Sequence, residues 1–197
     1  MSACAELRKH LKPGQVYRRA DLEAWSTAVD RHLKELVDEG VLEKMSQGLY
    51  YHSAKVSFGN IPPEDEKLVS AFLRSADFLI TSPNLYNSLG VGTTQMYNAC
   101  IVYNHKRHGR FELGGKVFDF RLKHKFPQKV SEEFLLIDLL NNLNQLAEDR
   151  KSVLNNVKAR VLGRLEAGLK RVINTYAGER TKKLLNEWIS EESLAHA

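Results

Sequence analysis

The sequence predicts an α+β protein, in which an N-terminal winged helix-turn-helix precedes a mixed α/β domain with a small antiparallel sheet and C-terminal helices. Residues 26–51 show helical spacing of apolar side chains, then a glycine, then two short apolar runs around a turn. Residues 110–122 contain alternating apolar and polar side chains beside a Gly-Gly pair, which is typical of a hairpin. The 197 residues, 43% of them hydrophobic and 27% charged, suffice for two small globular domains. We place these domains at 1–55 and 64–197, on either side of a turn-rich joint at 56–63.

The segment 26–51 predicts a helix, a sharp stop and a hairpin. Ser26 is a good N-cap, because its hydroxyl can accept a hydrogen bond from an unpaired amide of the first turn. Gly40 stands where a left-handed residue would end the helix. Ser46-Gln47-Gly48 predicts the turn between strands at 41–45 and 49–51. The predicted buried stripe of the helix comprises Ala28, Val29, Leu33, Leu36 and Val37.

The preceding residues complete a recognisable order of elements. Residues 3–11 predict a helix that Pro13-Gly14 ends, 15–17 a short strand, and 20–25 a second short helix. The order helix, strand, helix, helix, strand, strand is that of a winged helix, whose third helix enters the DNA major groove by its N-terminal end.

That geometry nominates nine residues for DNA contact. Arg31 is suited to a bidentate contact with guanine, and Thr27 to a thymine methyl group or a phosphate. The candidates for base edges and nearby phosphates are Ser26, Thr27, Asp30, Arg31 and Lys34, and those for backbone phosphates are Arg18, Arg19, Lys44 and Gln47. The alternative is a winged helix used only for protein contacts, which is favoured by the even balance of eight basic and eight acidic residues in 1–53.

The second domain is predicted to mix helices with a small sheet. Ser82-Pro83 marks a helix start, Gly114-Gly115 a two-residue hairpin turn, and Ser131 the start of a deeply buried helix. The predicted helices are 64–74, 82–89, one from 131, a long one at 153–172 and a last one at 181–190, and the predicted strands are 78–80, 98–103, 110–113 and 116–122.

Basic charge is concentrated in this second domain. Residues 104–129 hold eight Lys and Arg against two acids, a net charge of +6, and residues 150–183 hold ten against two, a net charge of +8. Clustered basic charge favours polyanions or an acidic protein partner. We nominate Lys116, Arg121, Lys123 and Lys125 as an interaction surface. The alternative is a solvated face balanced by nearby acids.

No motif predicts catalysis, a cofactor or a metal. His105-x-x-His108 lacks a third ligand, and the glycine-rich stretch 89–94 lacks the lysine of a P-loop. A nuclease holding magnesium through Glu112 and Asp119, with Asp77 and Lys123 nearby, is the enzymatic alternative. No apolar run approaches the roughly 20 residues of a membrane helix, and the N-terminus has no signal-peptide core. The two cysteines suggest no disulfide framework. We therefore expect a cytoplasmic protein.

Three stretches resemble the AbiEi-like antitoxins of bacteria. They are AVDRHLKELVDEGVLEKMSQGLYY, FGNIPPEDEKLVSAFLR and TSPNLYNSLGVGTTQ, and the resemblance spans roughly residues 10–150. It implies an N-terminal winged helix and a C-terminal α/β antitoxin domain. The family's basic winged-helix residues map onto Arg18, Arg19, Arg31, Lys34 and Lys44.

The resemblance also implies a function. Such antitoxins repress their own operon by binding inverted repeats in its promoter, on which a dimer or two cooperating monomers are expected. They also counteract a nucleotidyltransferase-like toxin, through the C-terminal domain and without a stable complex in the best-known systems. The charge-neutral winged helix departs from the family pattern, and the C-terminal basic runs are candidates for the missing phosphate contacts.

Overall fold

The computed structural model describes residues 3–56, 59–98, 100–163 and 167–195. The chain divides into two compact units, unit 1 (1–77 and 109–118) and unit 2 (78–108 and 119–197). This division differs from the expected boundary at 56–63, because the helix after the joint packs on a strand of the N-terminal sheet and so belongs to unit 1.

Residues 3–52 form the predicted order of helices and strands. The elements are α1 (Ala3–His10), β1 (Gln15–Arg18), α2 (Arg19–Leu22), a 3-10 helix (Glu23–Trp25), α3 (Val29–Asp38), β2 (Glu43–Ser46) and β3 (Leu49–His52). The sheet is antiparallel in the order β1-β3-β2, and Val16 lies opposite Tyr51 in its register. The helices of this segment bury Leu7, Leu22, Leu33 and Leu36 in one apolar cluster.

The end of α3 confirms the role predicted for Gly40. This residue has a φ of +67°, which a glycine adopts without steric cost, and its N–H donates to the Val37 carbonyl. The amides of Val41 and Leu42 both donate to the Leu36 carbonyl, so the last turn of the helix is closed before the hairpin begins.

The turn-rich joint predicted at 56–63 contains part of a two-stranded ribbon. Strands β4 (Ala54–Val56) and β5 (Gly59–Ile61) pair antiparallel. Tyr51 Oη donates to the Ile61 carbonyl at 2.8 Å, which ties this ribbon to β3. The chain then enters α4 (Asp65–Leu73), which ends at Arg74 in the left-handed conformation.

The four strands predicted for the second domain form one sheet. Its order is β6-β7-β9-β8, and β6 and β7 are antiparallel. Gly114 and Gly115 both have positive φ, as a type I′ hairpin turn requires. The strands are β6 (Phe78–Thr81), β7 (Cys100–Asn104), β8 (Gly109–Leu113) and β9 (Lys116–Leu122). The helix predicted at Ser82-Pro83 is present as a 3-10 helix (Pro83–Leu89), and Ser82 Oγ accepts from the Asn84 amide.

Four helices form the core of unit 2. They are α5 (Glu132–Asn142), α6 (Arg150–Leu162), α7 (Ala167–Tyr176) and α8 (Glu179–Ala195). Ser131 caps α5 as predicted, with its Oγ accepting from the Phe134 amide at 3.2 Å. The expectation of a single helix at 153–172 was wrong, because α6 ends at Leu162 with Gly163 as its C-cap and α7 begins at Ala167. Arg164 and Leu165, which that expectation included, lie outside the described residues.

Within the described ranges, the helices are all too short or too polar to cross a bilayer.

Candidate nucleic-acid interface

The start of α3 differs from the prediction, and Ser26 is not its N-cap. The helix begins at Val29 after Ala28, which has no side chain able to cap it. Ser26 is buried, with its Oγ accepting from the Ala28 amide at 3.2 Å and lying 2.7 Å from His32 Nδ1. Two residues therefore separate Ser26 from the helix, and its hydroxyl is engaged inside the fold instead of facing solvent.

His32 is the buried polar residue of α3 that the sequence reasoning missed. It is 3% exposed, and the Arg31 guanidinium lies 3.4 Å from its Nε2. Arginine only donates hydrogen bonds, so Nε2 is the acceptor in this contact. The signal was present in the sequence, since His32 follows Val29 by three residues and precedes Leu36 by four.

Arg19 is the structural link between the hairpin turn and α3. Its backbone amide donates to the Gly48 carbonyl at 2.9 Å. Its guanidinium makes a bidentate pair with Asp30, at 2.6 and 2.7 Å, and also bonds to Glu23. These ionic hydrogen bonds hold the pKa of the Asp30 carboxyl below its usual range. Arg19 and Asp30, both nominated for DNA contact, are thus paired with each other.

Arg18 is likewise engaged with an acid. Its guanidinium donates to both carboxylate oxygens of Asp21, at 2.8 and 2.6 Å. This pairing lowers the pKa of Asp21 and raises that of Arg18. A phosphate would have to compete with Asp21 for this guanidinium.

The other nominated residues are exposed. Thr27, Arg31 and Lys34 are exposed at and after the start of α3, and Lys44 and Gln47 are exposed on the β2–β3 hairpin. Among the described residues, neither Arg31, Lys34 nor Lys44 has an ion-pair partner. These three nominated cations are therefore available to contact DNA without breaking an ion pair.

A shallow depression of about 390 Å³ gathers part of this set at the N-terminal end of α3. Its charged lining consists of Arg19 and Arg31 against Glu23 and Asp30, so it carries no net charge. Five of the nine nominated residues line it, namely Arg19, Ser26, Thr27, Asp30 and Arg31.

The nominated interaction surface of Lys116, Arg121, Lys123 and Lys125 is not an open cationic patch. Lys116 belongs to unit 1, where its ammonium is 2.7 Å from Asp65. Arg121 donates to Asp119 and Asn142, and Lys123 lies 3.0 Å from Asp138. Only Lys125 of the four is exposed without a described partner. Three of the four residues are therefore paired within their own unit, and the role of this set as an interaction surface stays a prediction.

The contacts of Lys123 with Asp138 and of Arg121 with Asn142 belong to a buried polar network in unit 2. Asp138 is fully buried, and its carboxylate accepts from Tyr86 Oη and Tyr103 Oη, both at 2.8 Å, as well as from Lys123. Asn142 Nδ2 donates to Tyr103 Oη at 3.1 Å. Burial, together with the negative charge of Asp138, raises the pKa of both tyrosines, which keeps their hydroxyls protonated as donors.

Asp119 and Lys123, which the nuclease alternative uses, have ion-pair partners of their own. Asp119 lies 2.7 Å from Arg121, and Lys123 lies 3.0 Å from Asp138. Over the described part of the chain, no group of three or more His, Cys, Asp and Glu side chains is arranged to hold a metal ion.

No protein family, no curated protein and no solved structure matches this chain.

Proposed function

We propose that this chain is an AbiEi-like antitoxin that represses its own promoter through a winged helix in unit 1. The observation that carries the proposal is that Arg31 and Lys34 are exposed on α3, whose first turn is linked to the β2–β3 hairpin because Arg19 bonds both to Asp30 and to the Gly48 carbonyl. This juxtaposition of a helix and a hairpin is suited to placing one helix in a major groove with the hairpin over the adjacent backbone. The sequence resemblance over residues 10–150 supports the same assignment.

In this proposal the nine nominated residues have different roles. Arg31 reads a base edge, while Lys34, Lys44 and Gln47 contact phosphates. Arg18 and Arg19 are positioning residues in the free protein, since each is already paired with acids of its own unit. Ser26 supports the entry to α3 through His32. Because one recognition helix reads few base pairs, binding to inverted repeats by a dimer or by two cooperating monomers is expected.

The antitoxin half of the proposal assigns neutralisation of a nucleotidyltransferase-like toxin to the C-terminal part of the chain. Within the surface nominated from sequence, Lys125→Glu is the informative charge reversal, because Lys125 is exposed. Lys123→Glu would instead place a second carboxylate beside the buried Asp138 and disturb the fold. The chain is proposed to act without a cofactor, a metal or an enzymatic activity, in the cytoplasm.

Two assays test the two halves separately. Repression is tested with a reporter fused to the upstream DNA of the gene, with Arg31→Ala as the impaired variant and Lys9→Ala, on α1, as the control. Neutralisation is tested by growth rescue during induction of the neighbouring toxin gene. A reporter that is unaffected by the protein contradicts the repressor assignment, and absence of rescue contradicts the antitoxin assignment.

A second function is favoured by the electrostatics of unit 1. The depression at the start of α3 has no net charge, whereas dedicated DNA-binding modules are usually basic. A winged helix used for protein contacts, with a basic C-terminal surface that binds protein or RNA, is therefore the alternative. It predicts no shift of upstream DNA at low salt, together with intact neutralisation.

A further inference from the structure

A pocket of about 350 Å³ lies between α5, α6 and α8, entirely within unit 2. Its floor is made of leucine side chains from α5, α6, α8 and the 3-10 helix (Leu143–Gln145) that follows α5. Leu140 and Leu143 are buried, and Leu154 and Leu184 are half-buried and pack against the same core. The volume is at the lower end of the range for binding sites and fits one large apolar side chain with part of its backbone.

The rim of this pocket is cationic. Arg150 begins α6, and Arg180 and Lys183 lie in the first turns of α8, whereas Glu187 is the single acid of the lining. Arg150 donates to the Asn144 carbonyl at 3.0 Å, which fixes its guanidinium at the edge. Arg180 and Lys183 are exposed and have no ion-pair partner among the described residues. The pocket therefore combines an apolar floor with a net positive rim.

The arrangement favours a protein segment over other anionic ligands. Small-molecule sites fix orientation by a few polar groups inside an apolar pocket, whereas Thr181 is the one buried polar residue of this lining and the charged residues are all exposed. Sites for single-stranded nucleic acid stack bases on aromatic side chains, and none of the lining residues is aromatic. An apolar centre with a charged rim is the anatomy of a protein–protein anchor site.

We propose that this pocket binds a protein partner through a short acidic segment, in which carboxylates flank one or two large apolar side chains. The apolar side chain enters the leucine floor, and the carboxylates pair with Arg180 and Lys183. This site lies outside the nominated DNA-binding residues and outside the β9 surface. The proposal therefore does not rest on the antitoxin assignment, and either one can fail without the other.

The test uses the full-length protein and a fluorescein-labelled peptide of sequence Gly-Asp-Glu-Leu-Leu-Glu-Asp-Gly, with binding followed by fluorescence anisotropy. The rim variant is Arg180→Glu combined with Lys183→Glu. The matched control is Lys170→Glu combined with Arg171→Glu, because these cations are exposed on α7, change the net charge equally and do not line the pocket. The apolar contribution is tested on the probe, by replacing its leucines with serine, so that the leucine floor stays intact.

We expect the rim variant to raise the Kd by about tenfold or more and the control to change it less than about twofold. The serine peptide is expected to bind at least about tenfold more weakly. The proposal is overturned if no binding occurs up to about 1 mM peptide, if the control weakens binding as much as the rim variant, or if the serine peptide binds equally well. Self-association in sedimentation equilibrium that the rim variant abolishes would also overturn it, since the occupant would then be a second copy of this chain.

Discussion

The ammonium of Lys123 lies 3.0 Å from the fully buried carboxylate of Asp138 and 3.9 Å above the ring centre of Tyr103. The same ammonium makes a second ring contact, with Phe134. A lysine that the sequence nominates for a partner is thus a structural residue of unit 2. Its removal would leave Asp138 with two tyrosine donors and no counter-charge.

Lys123→Met is therefore expected to destabilise the protein by about 3 kcal/mol, because breaking a buried ion pair leaves an uncompensated charge. Lys125→Met is the matched control, and we expect it to change the free energy of unfolding by less than about 0.5 kcal/mol, since Lys125 is exposed. Urea unfolding followed by circular dichroism measures both values. Equal effects of the two substitutions would show that the Lys123–Asp138 pair contributes nothing to stability.

The pairing of Arg19 with Asp30 predicts a pH dependence. Because the folded-state pKa of Asp30 is lowered below its unfolded value, its contribution to stability is present above that unfolded value and is lost as the pH falls through the folded-state pKa. Carboxyl-carbon NMR is expected to show the pKa of Asp30 rising toward its ordinary value in Arg19→Gln. A pKa of Asp30 that does not respond to this substitution would contradict the bidentate pair.

Asp30→Asn is expected to strengthen DNA binding. The substitution removes a negative charge at the start of α3 and leaves Glu23 as the remaining acid paired with Arg19, so the guanidinium becomes more available to a phosphate. The slope of log affinity against log salt is expected to steepen by about 0.9 for one added phosphate contact. Asp38→Asn, which removes an equivalent charge at the far end of α3, controls for net charge. Weaker binding by Asp30→Asn alone would mean that the Arg19–Asp30 pair is needed to hold α3 in place.

Gly114 is expected to resist substitution. A Cβ at this position would lie 2.8 Å from Met45 Sδ, and the φ of +59° is unfavourable for other residues. Gly114→Ala is predicted to lower stability by at least about 1 kcal/mol, measured by thermal unfolding. Gly115→Ala shares the positive φ but meets no atom within 4 Å, so it isolates the effect of the Met45 contact. Equal losses would assign the whole effect to backbone strain.

Local signals in the sequence predicted most elements of this fold. Gly40, Ser131 and the Gly114-Gly115 pair act through their own backbone or side-chain chemistry, and each does what its residue type indicates. The split between α6 and α7 was missed, because the apolar spacing continues across Gly163 while the helix does not. A glycine inside a helical pattern can either be accommodated within one helix or mark the end of a helix, and the sequence alone does not distinguish the two.

The candidate site was harder to predict than the fold. Residue type placed Arg18 and Arg19 among the phosphate contacts, but their pairing with Asp21 and Asp30 depends on how the elements pack. The same holds for Lys123, whose partner Asp138 is 15 residues away along the chain. Arg31 and Lys34 remain predictions for DNA contact, and their exposure is compatible with that role.

The central claim is that α3 reads a DNA sequence through Arg31. A mobility shift of the full-length protein on its own upstream DNA, with unrelated DNA as competitor, tests this claim most directly. We predict a specific shift that weakens steeply with salt, and an Arg31→Ala variant that loses about 1–3 kcal/mol of affinity together with its sequence preference. A shift that any competitor abolishes equally, or no shift at low salt, would contradict the claim.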